Sequence, residues 1–153
     1  MIYVEAPDVI PSTQGKKILF LAGTIRNSSD WQSQLIEKIK TLDIVVYNPR
    51  RKYWPEDPNA AIEQIKWEYQ HLQDADIISF WFAKTSISPI TLFELGSWIK
   101  TTKLLAVGIE PGYPRELDVI IQTGLEQPDL RIFRNLDHLA NEIFRLMNQL
   151  SSF

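Results

Sequence analysis

The chain has 153 residues, 44% of them apolar and 23% charged, which fits one domain with a single core and excludes a disordered or membrane-embedded class. A formal charge of −3 argues against a surface built for a nucleic-acid polymer, although one local arginine can still hold a small anion. The absence of cysteine removes disulfides, thiol nucleophiles and thiolate metal sites.

Residues 1–16 carry Pro7, Pro11, Ser12, Thr13 and Gly15 with little periodicity, and read as an N-terminal arm lying on the body or on another subunit. No basic segment followed by a long apolar one opens the chain, so a cytoplasmic protein is expected. Apolar runs such as Ile18-Leu19-Phe20-Leu21-Ala22 are too short to span a bilayer, and no membrane partner is expected.

Lys17 to Ala22 is the first expected strand, a continuous apolar run of the kind buried in parallel sheets. Gly23 to Asp30 reads as a loop, in which Ser28, Ser29 or Asp30 can cap the next helix. That helix, from about Asp30 to Leu42, places Trp31, Leu35, Ile36 and Ile39 on one stripe. Ile44 to Tyr47 is a second strand, ended by Asn48-Pro49. A polar and aromatic loop follows, Arg50 to Asn59. The helix Ala60 to Gln73 is expected to present Ile62, Ile65, Tyr69 and Leu72 together. Asp76 to Phe82 is a third strand, and the loop Ala83 to Ile90 leads into a helix ending near Thr101. Lys103 to Gly108, Glu116 to Thr123, Leu130 to Phe133 and Asn135 to Leu150 complete the alternation as strand, helix, strand and helix. Five strands alternating with helices imply a single α/β domain over residues 17–153. Its sheet is parallel and doubly wound, with helices on both faces.

Glu94 lies in Phe93-Glu94-Leu95-Gly96, just past the third strand, on the rim where open α/β sheets bind ligands. A carboxylate in an apolar segment is costly without a partner or a task. The plain alternative is a first-turn Glu that complements the helix dipole. Gly23-Thr24-Ile25-Arg26 is either an anion cradle or an ordinary strand-to-helix turn. Asn48-Pro49-Arg50-Arg51, beside Tyr53 and Trp54, is either a stacking surface for a planar ligand or a solvated loop. Glu68 stands toward the C-terminal end of its helix, where the dipole disfavours a carboxylate. His71 and His138 show no metal-ligand spacing and read as solvent-facing.

Taken in order, Phe20 to Arg26, Asn48-Pro49-Arg50, Trp67-Glu68, Ala75 to Phe82 and Phe93 to Gly96 resemble the nucleoside 2-deoxyribosyltransferase-like superfamily, and also the related deoxynucleoside 5′-monophosphate N-glycosidases. The resemblance implies a flavodoxin-like, Rossmann-like fold and cleavage of an N-glycosidic bond. It puts the nucleophile on Glu94, which would form a covalent glycosyl ester resolved by a second base or by water. It places Glu68 against the leaving base. Gly23, Thr24 and Arg26 would line the sugar or phosphate end, and Asn48, Arg50, Asp76, Trp81 and Phe82 would shape the pocket. Ser88 stands six residues before the nucleophile, where transferases carry Asp and the monophosphate glycosidases carry Ser. No metal or organic cofactor is implied, because the substrate supplies the electrophile. A homo-oligomer with shared active sites is. The alternatives left open are a nucleoside 5′-monophosphate hydrolase and a non-catalytic nucleotide-sensing module.

Overall fold

The computed structural model describes residues 1–151 and contains six parallel strands, not five. In chain order the elements are β1 (Ile2–Glu5), β2 (Ile18–Gly23), α1 (Trp31–Ile39), β3 (Val45–Asn48), α2 (Ala60–Asp74) and β4 (Ile77–Phe82). They continue with α3 (Pro89–Trp98), β5 (Leu104–Ile109), α4 (Glu116–Glu126), β6 (Ile132–Phe133) and α5 (Leu136–Ser151). The strand order is β1-β3-β2-β4-β5-β6. Without β1, that is the doubly wound 2-1-3-4-5 order of flavodoxin-like sheets.

The extra strand corrects the expected count. It lies within the stretch read as an arm, pairing with β3 from Ile2↔Val45 to Glu5↔Asn48. Four residues running into Ala6-Pro7 are too few to show a strand period. Pairing with β3 is what makes them one, and Val4 is buried by it.

All six residues of β4 are buried, as a central parallel strand requires. Its side chains alternate between two cores. Ile78, Phe80 and Phe82 meet Trp67, Leu72, Leu95, Ile99 and Val119 from α2, α3 and α4. Ile77 and Trp81 meet Trp31, Leu35, Leu139 and Ile143 from α1 and α5. Trp81 needs room on that face, and Gly108 supplies it: a Cβ there would lie 2.5 Å from the Trp81 ring.

Two expectations about α2 are reversed. Ile62, Ile65 and Tyr69 are exposed, whereas Ala60, Gln64, Trp67 and His71 face inward. His71 is buried, stacked on Trp67 at 4.1 Å, with Nδ1 2.7 Å from the Trp67 carbonyl. Among the described residues no helix is long and apolar enough to cross a membrane.

Candidate active site

The chain leaves β2, runs outward to β3 and then returns across to β4. The switch point is therefore between β2 and β4, where such sheets open a crevice at their carboxyl ends. A cleft of about 920 Å³ lies there, near the top of the range for small-molecule sites. Its floor is Phe20, Ala22 and Gly23. One wall is α2, with Gln64, Ile65, Glu68 and Tyr69; the other is α3, with Pro89, Phe93, Glu94 and Trp98.

The start of α3 is fixed in an unusual way. Ser88, the residue before Pro89, takes a left-handed conformation with φ of 51°. A non-glycine residue there is strained, and such strain concentrates at functional sites. Its hydroxyl does not cap the helix. It lies 2.5 Å from the Thr24 hydroxyl, joining the β2–α1 loop to the α3 terminus. Within that loop, Asp30 is the residue that caps α1, accepting from the Ser33 N–H at 3.1 Å. Gly23 is required by close packing: a Cβ would fall 2.6 Å from both the Trp31 ring and the Trp81 carbonyl.

Glu94 is the sixth residue of α3, so it is not a first-turn residue and the dipole reading does not apply. Its carboxyl is pushed up to about 8, first by burial and then by the negative charge of Glu68. Burial raises Glu68 as well, but a hydrogen bond from Gln64 and the charge of Arg51 act against the rise. The Gln64 amide donates to Glu68 at 2.6 Å. Burial thus favours the neutral form of both carboxyls on their opposite walls, and of the two Glu68 is the one with a hydrogen-bond donor and a cation opposing the rise. On the cleft rim Arg26 stacks over the Trp54 ring at 3.9 Å. No carboxylate among the described residues pairs with it.

The cleft therefore brings together Gly23, Thr24, Arg26, Glu68, Ser88 and Glu94. Five other candidate residues do not line it. Asn48 is buried, receiving the Arg50 N–H at 3.0 Å and donating to Tyr3 at 2.9 Å. Arg50 turns to the β2–α1 loop, donating to Gln32 at 2.8 Å and to the Ser29 carbonyl at 3.0 Å. Asp76 is at the opposite end of β4, accepting from the Ile18 N–H at 2.8 Å. Trp81 sits in the core of the other face, and Phe82 packs on Tyr113 at 5.2 Å. The cleft residues that sequence reasoning passed over include Gln64 and the α3 aromatics Phe93 and Trp98, whereas Trp54, named there as part of a stacking surface, does line the cleft. Among the described residues, no group of three or more His, Cys, Asp or Glu is arranged to hold a metal.

The family model described as "Nucleoside 2-deoxyribosyltransferase like" matches residues 16–113, a span that includes every residue lining the cleft. The chain belongs to that family. No curated protein matches it. Among solved structures it resembles a conserved protein from Enterococcus faecalis V583, with 16% identity, a TM-score of 0.66, and coverage of 85% of this chain and 98% of that one. That likeness carries the fold alone. Within the nucleoside 2-deoxyribosyltransferase-like family assignment, β1, α4, β6 and α5 fall outside the matched span, whereas both carboxyl-bearing walls fall inside it.

Proposed function

We propose that this protein cleaves the N-glycosidic bond of a (2′-deoxy)nucleoside or nucleotide and transfers the sugar to another base. The observation that carries this reading is the pair Glu94 and Glu68 on opposite walls of an apolar cleft, with Glu94 pushed up to about 8 so that it holds a proton at neutral pH. The chemistry balances on that proton. Glu94 gives it up toward the departing base, directly or through Glu68. The Glu94 carboxylate then attacks the anomeric carbon, the C–N bond breaks with its electron pair going to the base nitrogen, and a glycosyl ester forms. The incoming base attacks the same carbon, expels the Glu94 carboxylate and returns a proton to the pair. Thr24, Ser88 and Gly23 line the end of the cleft beside the sugar.

The aromatic and aliphatic side chains at the mouth support a homo-oligomer that shares its sites. Ile65, Tyr69, Ile90 and Phe93 line the cleft yet are 63–73% exposed, and a second copy would cover them.

One observation favours a second reading, hydrolysis of a nucleoside 5′-monophosphate. Arg26 lines the same cleft as the Thr24–Ser88 hydroxyl pair and has no carboxylate partner among the described residues, which suits a phosphate.

Base release from a panel of 2′-deoxynucleosides and their 5′-monophosphates, with and without a second free base, tests the proposal. Incorporation of the second base indicates transfer, and release without incorporation indicates hydrolysis. If Arg26→Ala weakens nucleosides and monophosphates equally, the phosphate role is wrong. Tight binding without release from any member would point to a sensing module.

A further inference from the structure

Glu68 does not stand alone on its wall. Gln64, one helical turn earlier, is 3% exposed, and all three of its short contacts are polar. Its Nε2 donates to the Glu68 carboxylate at 2.6 Å and to the Pro49 carbonyl at 2.7 Å. Its Oε1 accepts from the Arg51 Nε at 2.5 Å. The donor and acceptor ends of this amide are thereby fixed, because turning it over would face Arg51 with an NH₂ and two acceptors with an oxygen. The Arg51 side chain is likewise only 3% exposed, and its Nη2 donates to Glu63 at 2.9 Å. It belongs to the loop that carries Trp54, and its guanidinium lies 5.0 Å from that ring.

We propose that Gln64 and Arg51 are positioning residues: their chain of hydrogen bonds fixes Glu68 as an acceptor on the α2 wall and leaves the proton of the carboxyl pair to Glu94. The inference rests on the reading of the cleft as a glycosidic site only for its purpose. The hydrogen-bond chain stands on the geometry. The charged groups around the pair are Arg51 behind the α2 wall, Glu63 beyond it, and Arg26 on the β2–α1 loop. Of these, only Arg51 is linked to Glu68 through a hydrogen-bonded group, so it selects Glu68 and not Glu94 for ionisation. The chain also ties the Trp54 loop to the catalytic wall, so that displacing Arg51 would loosen Glu68 as well.

The test is carboxyl ¹³C NMR titration of Glu68 and Glu94 in the ligand-free protein, comparing wild type with Gln64→Met and Arg51→Met. A hydrogen bond to a carboxylate is worth enough to move its midpoint by about one pH unit or more. The Glu68 midpoint is expected to rise by that amount in Gln64→Met and by less in Arg51→Met. Glu63→Gln, which removes only the solvent-side partner of Arg51, should leave it near the wild-type value. Purely structural roles would lower thermal stability without moving the Glu68 midpoint, and an unmoved midpoint in a folded Gln64→Met or Arg51→Met protein overturns the inference. Because the titration needs no substrate, the two claims fail separately. A shifted midpoint with no base release from wild type would count against the glycosidic reading alone. An unshifted midpoint with active wild type would count against the positioning role alone.

Discussion

The two ends of β4 carry carboxylates in opposite circumstances. At the amino end Asp76 accepts a hydrogen bond from the Ile18 N–H at 2.8 Å and lies 3.9 Å from the Lys17 ammonium, about a third exposed. Just past the carboxyl end Glu94 faces an apolar cleft, where burial and the charge of another carboxyl, Glu68, push it up. Asp76 is where folding stability would place an acid. Glu94 is where it would not, and the cost of placing it there is borne by the folded state. The difference separates a structural carboxylate from one kept for chemistry.

Substitutions at the two ends should therefore diverge. The largest effect is expected for Glu94→Ala, which removes the nucleophile: base release should fall by at least about 10³-fold while the protein remains folded by circular dichroism. Next is pH dependence. The departing base takes the proton that Glu94 holds, so the rate on a 2′-deoxynucleoside should fall as pH rises, with a midpoint near 8. Glu68→Gln removes the neighbouring charge and should move that midpoint downward, even as it slows release of the base.

Stability gives a third contrast. Glu94 binds its proton more tightly in the folded state, at about 8, than in the unfolded chain, near 4.5. Its contribution is therefore full below pH 4.5 and is lost as pH rises through 8, by roughly 1.4 kcal/mol per unit across that window. Glu94→Gln escapes this loss. Relative to wild type it should gain stability from pH 5 to 8 and no more beyond, measurable as urea midpoints at a series of pH values. The smallest effect is expected at the other end. Asp76→Asn should cost about 1–3 kcal/mol by losing a charged hydrogen-bond acceptor, yet leave the pH midpoint of the reaction in place.

The same contrast explains what was legible in the sequence. Strands buried on both faces announce themselves as apolar runs, and β2 to β5 follow from those runs. β1 does not, because its four residues become a strand only through pairing with β3. For the site, Glu94, Glu68 and the Gly23–Arg26 loop follow from strand ends and ordered motifs. The structure brings them to one cleft together with Ser88. The arginine pair divides against expectation: Arg50 bonds back into the β2–α1 loop, and Arg51 is the one joined to the α2 wall. The face of α2 was misread for a related reason. Ile65 and Tyr69 look like core, but they line an open cleft. Gln64 and His71 look like surface, but the Gln64 amide and the His71 Nδ1 are held inside by backbone or side-chain partners, which helical spacing alone does not reveal.

The most direct test of the central claim is trapping of the covalent intermediate. Intact-protein mass spectrometry after rapid quenching with a 2′-deoxynucleoside or its 5′-monophosphate should show wild type heavier by one glycosyl unit. Peptide mapping should place that unit on Glu94, and Glu94→Ala should show none. Base release by wild type with the adduct on another residue, or with release undiminished in Glu94→Ala, would contradict the account.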